Sequence, residues 1–350
     1  MASPAAALSP SLFEFVEKVW KANEQKTISS ANKVYDLYGE SSAPQYKLTW
    51  RIASDFADTL LALEIIASGV CKMAWQRDQF ERDQQVIINA FTTMKAEAQT
   101  GDCTAGSQPS PETRDLLTRD FIHFLNNRGA GTTTERIYIH LQPPIAKNGL
   151  KVMSALLRMF STNPQFVSAK ICGACMTDRV DSIVAYFSDS GVADAVVVAL
   201  SNNAALHGCF KRGVPLVVNE VTEGIGRAQE PPVTSPLYAR DGRSEHPLRA
   251  DPQVNPDIPK PYIGFITENT SFGKLHSELI FAGLRQWRAN NPKAVLTGPV
   301  PQTLIAAIVA AYGKEGIDPK NPSQFANRQQ IETGFQNKML DKYNQAHGIP

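Results

Sequence analysis

Arg136-Ile137-Tyr138-Ile139-His140-Leu141 alternates polar and apolar side chains, and Pro143-Pro144 halts it before Ala146 to Phe160, whose Leu150, Met153, Leu156, Leu157 and Phe160 recur at helical spacing. Successive side chains of a strand point to opposite faces, so Ile137, Ile139 and Leu141 supply a core face while Arg136, Tyr138 and His140 project together from the other. Strand followed by amphipathic helix is therefore the unit from which the rest is read. Gln165 to Cys172 and Asp181 to Ser188 read as two further strands, and Ala193 to Leu206 fits helix or strand by pattern alone. Val214 to Asn219, preceded by Gly213, reads as another short strand.

Upstream, from Ser11 to about Ala98, the texture is helical. Apolar residues recur three and four apart, as Phe13, Val16, Val19 and Trp20, then Trp50, Ile52, Phe56, Leu60, Leu61 and Leu63, then Val86, Ile87 and Phe91. The most apolar helical stretch runs from Thr59 to Ala74, and the charged run Gln76 to Asp83 reads as a solvated helical face or turn. Gln99 to Pro111 is small, polar and rich in Gly, Pro and Ser, the composition of a linker or long loop. Downstream, Thr222 to Pro261 is rich in Pro, Gly and charge, too long for a simple connection and suited to a lid from Glu223 to Pro261 over an extended peptide. The chain then re-enters with a strand, Tyr262 to Ile266, and helices over about Ser271 to Ala289, Gln302 to Ala311 and Ser323 to Ala346. The organisation expected is a helical N-terminal region, 1–98, a linker, 99–112, and a sheet-containing domain, 113–350, with a Pro-rich insertion at 222–261.

Composition narrows the function classes. The 350 residues are 43% hydrophobic, enough to bury one large core or two ordinary ones. Thirty-five basic against 34 acidic side chains leave a net charge of +1, so no overall basic field holds nucleic acid or an anionic membrane, and any anion site must be a local cluster. Five Cys cannot make a disulfide-dense scaffold, and the odd number fits a reducing compartment, with the cytoplasm as default. The N-terminal segment has no charged lead into an apolar run, so no secretory signal is expected. Glu64 and Lys72 interrupt the most apolar helix, so no transmembrane span is expected.

Familiar catalytic motifs fail on context. Cys172-Gly-Ala-Cys175 follows a strand instead of opening a helix, and Cys71, Cys103 and Cys209 are too scattered to complete a zinc set. Gly224-Ile-Gly226 lacks a third glycine, and Pro231-Pro232 forbid the helix a dinucleotide fingerprint requires. No nucleophile elbow, phosphate loop or His-Glu-x-x-His occurs. What remains is polar side chains at strand positions: Arg136, Tyr138 and His140 on one strand, Lys170 with Ser168 on the next, and Arg179 just before the third, which carries Tyr186. If these strands are neighbours the residues converge; each singly also fits a half-solvated sheet face.

The ordered series Arg136 to Pro143, Lys170, Arg179 to Tyr186, Val214 to Pro231 and Ser271-Phe-Gly-Lys274 resembles the HopA-type effector family over roughly Leu116 to Leu284. Members of that family occur as type III secretion effectors, and relatives act as lyase-like proteins in class V lanthipeptide and thioamitide biosynthesis. The family is distantly similar to the phosphothreonine lyases, which eliminate phosphate from a phosphorylated side chain. The resemblance implies Arg136 as a phosphate-holding cation, Lys170 as general base, Arg179 as a second phosphate clamp and Tyr186 beside it. Lys170 needs a depressed pKa for that role, which neighbouring cations such as Arg136 and Arg179 supply in principle. Lys274, with the backbone N–H groups of its helix start and His276 nearby, is a further anion-holding candidate; a plain cap at Thr270 or Ser271 fits equally.

One departure divides the readings. Where the lyases carry His, this chain carries Tyr138, with His140 two residues on and on the same strand face. Either Tyr138 donates the proton, His140 has taken over, or the acid is missing, which would lower the rate by roughly 10² to 10⁴. The fold expected is α+β, a helical N-terminal part followed by a mixed, mainly antiparallel sheet with packed helices. The function expected is phosphoserine or phosphothreonine lyase chemistry on a precursor peptide phosphorylated by a separate kinase partner, with no metal or organic cofactor, no nucleic acid and no membrane. The alternatives are a noncatalytic phosphopeptide- or partner-binding module, and an effector delivered into a host cell.

Overall fold

The computed structural model describes residues 7–25, 27–38, 50–74, 89, 92–93, 96, 121–129, 133–173, 179–231, 272–294 and 296–325. The chain divides into two compact units, Gly39–Ala228 and Met1–Tyr38 with Gln229–Pro350. The charged run at 76–83, the linker at 99–112, most of the Pro-rich insertion, the strand at 262–266 and most of the last helix lie outside the described residues.

The first unit is built on a seven-stranded sheet. Its strands are β1 (Cys71–Ala74), β2 (Phe121–Asn126), β3 (Glu135–Ile139), β4 (Phe166–Cys172), β5 (Ile183–Phe187), β6 (Asn219–Thr222) and β7 (Ile225–Gln229), in the order β1-β2-β4-β5-β3-β7-β6. The pairings β1–β2, β2–β4, β4–β5, β3–β5 and β6–β7 are antiparallel. Helix α3 (Trp50–Ala67), α4 (Ile145–Phe160) and α5 (Ser190–Ser201) complete it. Together with the helices of the second unit they make the protein α+β.

Period-two alternation decides the core. Phe124, Ile137, Ile139, Ala169, Ile171 and Ala185 join Phe56, Leu60 and Leu63 of α3, Val152, Leu156 and Phe160 of α4, and Ala193, Val196 and Leu200 of α5. Burying each of the larger aliphatic or aromatic side chains is worth roughly 1.5 to 3 kcal/mol. Polar groups at the seams are matched. Thr59 Oγ1 donates to the Ala146 carbonyl at 3.1 Å, joining α3 to α4. The Asn126 amide donates to the carbonyls of Phe160, Asn163 and Phe166, tying β2 to the α4–β4 turn. Asp189 caps α5 by accepting from the Val192 N–H at 2.9 Å.

Three sequence expectations are corrected. The helix expected to run through Ala74 ends at Ala67: Gly69 adopts φ +74°, a turn follows, and Cys71–Ala74 pairs with β2 as a strand. The strand expected over Val214 to Asn219 is a turn around Pro215, whose carbonyl accepts from Val218, with Val217 at φ +66°; pairing begins only at Asn219. The expected irregular segment from Thr222 opens instead as a β6–β7 hairpin.

The second unit contains α1 (Pro10–Glu24), α2 (Ala31–Tyr38), α6 (Phe272–Asn290) and α7 (Gln302–Lys314). Ser9 caps α1, accepting from Leu12 N–H. The Trp20 and Trp287 rings meet edge to face at 5.3 Å, and Trp20 Nε1 donates to the Gly298 carbonyl. Arg288 donates to Asn23 Oδ1 and to the Ile28 carbonyl, binding the C-terminal end of α6 to the α1–α2 connection.

Candidate functional site

Register, more than sequence proximity, assembles the polar side chains of the sheet. Arg136 lies opposite Tyr186, and Tyr186 lies opposite Ser168, so one row crosses β3, β5 and β4. The adjacent row runs from Tyr138 through Val184 and Lys170 to His123, across β3, β5, β4 and β2. All of these positions share the face opposite Ile137, Ala185, Ala169 and Phe124. Arg136, Tyr138, Lys170 and Tyr186 are therefore on one surface of three neighbouring strands, β3, β5 and β4.

That surface is not half-solvated. Arg136 is 4% exposed, Tyr138 2%, His140 4% and Ser168 1%, whereas His123 and Lys170 at the β2–β4 end are only partly covered. Arg136 Nη1 donates to the Tyr138 hydroxyl at 3.3 Å, and its guanidinium stands 5.1 Å from the centroid of the Tyr186 ring. A buried cation is thus carried by a phenol oxygen and a ring face, both of which strengthen when water is excluded. Ser168 Oγ is buried without a hydrogen-bonding partner, a state that costs about 1 to 3 kcal/mol unless a ligand or water satisfies it.

At the more open end, the Phe121 ring lies between two cations. Lys170 Nζ is 3.8 Å from its centroid and the Arg179 guanidinium 5.4 Å. Arg179 is also held in a fork by Asp181, Nε to Oδ1 at 2.6 Å and Nη2 to Oδ2 at 2.8 Å. The sequence-predicted clamp therefore already carries a carboxylate, and an anionic ligand would compete with Asp181 or use what the fork leaves.

His140 sits one residue past β3. Its Nδ1 lies 3.2 Å from the Arg212 carbonyl and 3.1 Å from the Gly213 carbonyl, and two acceptors require that this nitrogen carry the proton. Burial, reinforced by the Lys211 ammonium, holds its pKa below the ordinary range despite those carbonyls and Asp181. His140 is thus neutral at neutral pH, with its proton committed to backbone. Glu220 locks the same loop by accepting from the Gly213 and Gly224 N–H groups at 3.0 Å each.

Lys274 stands in the first turn of α6, in the second unit, partly covered. Thr270 and Ser271, the expected caps, lie outside the described residues. His276 is no anion ligand: it is fully buried between Phe272 and Tyr312, with the Tyr312 hydroxyl 2.8 Å from Nδ1. Among the described residues no group of three or more His, Cys, Asp or Glu is placed to hold a metal ion. Cys172 is a buried thiol in no disulfide, and Cys175 lies outside the described residues. No described helix is long and apolar enough to cross a membrane.

Sequence reading missed β2 and so missed Phe121 and His123. In Phe121-Ile-His-Phe-Leu-Asn126 both faces are largely apolar, which hides the alternation. Asp181, read only as the start of a strand, was a further omission; its spacing of two from Arg179 was the available signal.

Residues 112–246 match the model of the HopA1 effector protein family, the family the motif order resembles. The match spans β2 to β7 and contains Arg136, Tyr138, His140, Lys170, Arg179 and Tyr186, but not Lys274. Two solved structures share the fold. The effector protein from Pseudomonas syringae pv. syringae strain 61 is 16% identical at a TM-score of 0.54, covering 91% of this chain and 99% of that one. The effector protein from Pseudomonas syringae pv. tomato strain DC3000 is 16% identical at a TM-score of 0.56, covering 90% and 97%. No curated protein matches. This chain therefore has the fold of those effectors.

Proposed function

We propose that the protein is a phosphoserine or phosphothreonine lyase that eliminates phosphate from a phosphorylated peptide to leave a dehydroamino acid. The observation that carries this reading is the pair of cross-strand rows, which bring Arg136, Tyr186, Tyr138 and Lys170 to one face, with Arg179 sharing the Phe121 ring with Lys170. Elimination needs a base for the α-proton, an acid for the leaving phosphate and cations for its charge. In this reading Lys170 Nζ takes the proton, and Arg136 and Arg179 hold the phosphate with Tyr186 beside it. Lys274 is a further phosphate contact proposed from the motif alone. The peptide would be supplied by a separate kinase.

A second reading, a noncatalytic phosphopeptide-binding module, draws on the same face. Tyr138 stands where the lyases carry His, and the Arg179 fork is already filled by Asp181. The match to an effector family supports delivery into a host cell as the place of action, under either reading.

Mass spectrometry of phosphoserine and phosphothreonine peptides incubated with the protein, with and without a candidate kinase, separates these. Loss of phosphoric acid with a thiol-trappable product is the expected result. Lys170→Ala should abolish it, a fall of at least about 10² in rate, while leaving phosphopeptide binding intact. Return of the free hydroxyl would mean hydrolysis and refute the mechanism, and binding without product would favour the module.

A further inference from the structure

Lys170 has one titratable neighbour directly across a strand pair, and it comes from the strand the sequence did not reveal. His123 of β2 is the register partner of Lys170, so their Cβ atoms lie about 4.5 to 5.5 Å apart on the same face. Tyr138 belongs to the same row but is two strands from Lys170, with Val184 between, or about 9.5 Å across the sheet. The base of an elimination acts on the proton at Cα and the acid on the oxygen leaving the adjacent Cβ, so a group close to Lys170 has the advantage.

The other two candidates are almost wholly buried and hydrogen-bonded within the fold. The Tyr138 hydroxyl receives Arg136 Nη1 and is almost wholly buried. His140 has its Nδ1 proton on the Arg212 and Gly213 carbonyls. His123, like Lys170, is only partly covered, at the β2–β4 end of the face. Resting on the lyase reading, we propose that His123 is the proton donor to the leaving phosphate, a role moved from β3 to β2 in this chain.

Lys170 Nζ accepts the α-proton, the C–H electron pair becomes the Cα=Cβ bond, and the Cβ–O bond breaks with its pair passing to the phosphate oxygen. The His123 imidazolium protonates that oxygen, releasing hydrogen phosphate. Solvent then deprotonates Lys170 and reprotonates His123. The charged groups facing His123 are Lys170 and Lys72 on the flanking strands β4 and β1, with Arg179 beyond the Phe121 ring.

The test compares wild type, His123→Gln, His123→Ala, Tyr138→Phe and His140→Ala on one phosphothreonine peptide, alongside affinity for the matching phosphonate peptide, which cannot eliminate. His123→Gln should lower kcat about 10² to 10⁴-fold with phosphonate affinity unchanged, and free imidazole should restore part of the rate to His123→Ala. Tyr138→Phe and His140→Ala should fall far less. An active wild type with undiminished His123→Gln would overturn this assignment and spare the lyase reading. Parallel loss of phosphonate binding in His123→Gln, without imidazole rescue in His123→Ala, would also overturn it, making His123 a holding group. A wild type that binds the phosphonate but releases no phosphate would overturn both.

Discussion

Protonating His276 would place a charge among Phe272, Tyr312 and the buried face of α6, and the protein avoids this by keeping the imidazole neutral. Burial lowers its pKa from 6.5 to about 3 against the opposing pull of the Pro322 carbonyl; Nε2 makes no hydrogen bond of ordinary geometry. The Tyr312 hydroxyl, whose own pKa burial raises, is hydrogen-bonded to Nδ1 at 2.8 Å. The unfolded chain binds a proton near pH 6.5 that the folded chain refuses until about 3. Stability from this group is therefore complete above pH 6.5 and falls as pH drops through that window, by up to about 1.4 kcal/mol per unit. Lowered His140 acts with the same sign over its own range. His276→Phe should flatten the acid limb of urea-unfolding midpoints measured from pH 4 to 8, while costing about 1 to 3 kcal/mol at neutral pH because the Tyr312 hydroxyl loses its buried hydrogen-bond partner. An unchanged acid limb would assign the sensitivity to other groups.

At the scale of elements, the β6–β7 hairpin holds the loop that fixes His140, and Gly224 is its pivot. Gly224 adopts φ +67°, its carbonyl accepts from the His140 N–H at 2.8 Å, and a Cβ there would stand 2.5 Å from the Lys211 carbonyl oxygen. Gly224→Ala should destabilise the protein by about 1 to 3 kcal/mol, seen as a Tm several degrees lower. An unshifted Tm would mean that the hairpin relaxes freely. The same glycine shows what the sequence could and could not convey. Its motif was readable as no dinucleotide fingerprint, but its turn role depends on a backbone angle that spacing does not encode. Strand β3 was legible because polar and apolar residues alternate along it, and helix α4 because its apolar residues recur at helical period, although β3 is buried on both faces. Strand β2 was not, since Phe121, Phe124 and Leu125 fall on both faces, and β1 was absorbed into α3 because four residues carry too little pattern to oppose a helix. Of the candidate site, Arg136, Tyr138, Lys170 and Tyr186 were legible as strand residues. Their rows, the Asp181 fork and the His123–Lys170 pair follow from strand order, which only long-range pairing decides.

For the molecule as a whole, chain order and unit composition diverge: the N-terminal 38 residues complete a core otherwise made from the C-terminal third. Tyr38 packs where Gly273 leaves no side chain, Trp20 covers Trp287, and Asn23 and the Ile28 carbonyl receive Arg288. Aromatic losses of this kind typically cost about 3 to 5 kcal/mol each, comparable to the net stability of a domain. A chain starting at Gly39 should therefore lose amide protection through α6 and α7 and shift Trp287 fluorescence to the red. Ala169 and Ala185 lie in the core of the sheet unit, in which no described residue of the N-terminal segment is found, so they should keep their protection. Hydrogen exchange read by mass spectrometry on both chains decides this, since unchanged protection in α6 would show that the C-terminal segment sustains its own core. If elimination survives the truncation, the chemistry resides in the sheet unit alone and Lys274 is not required.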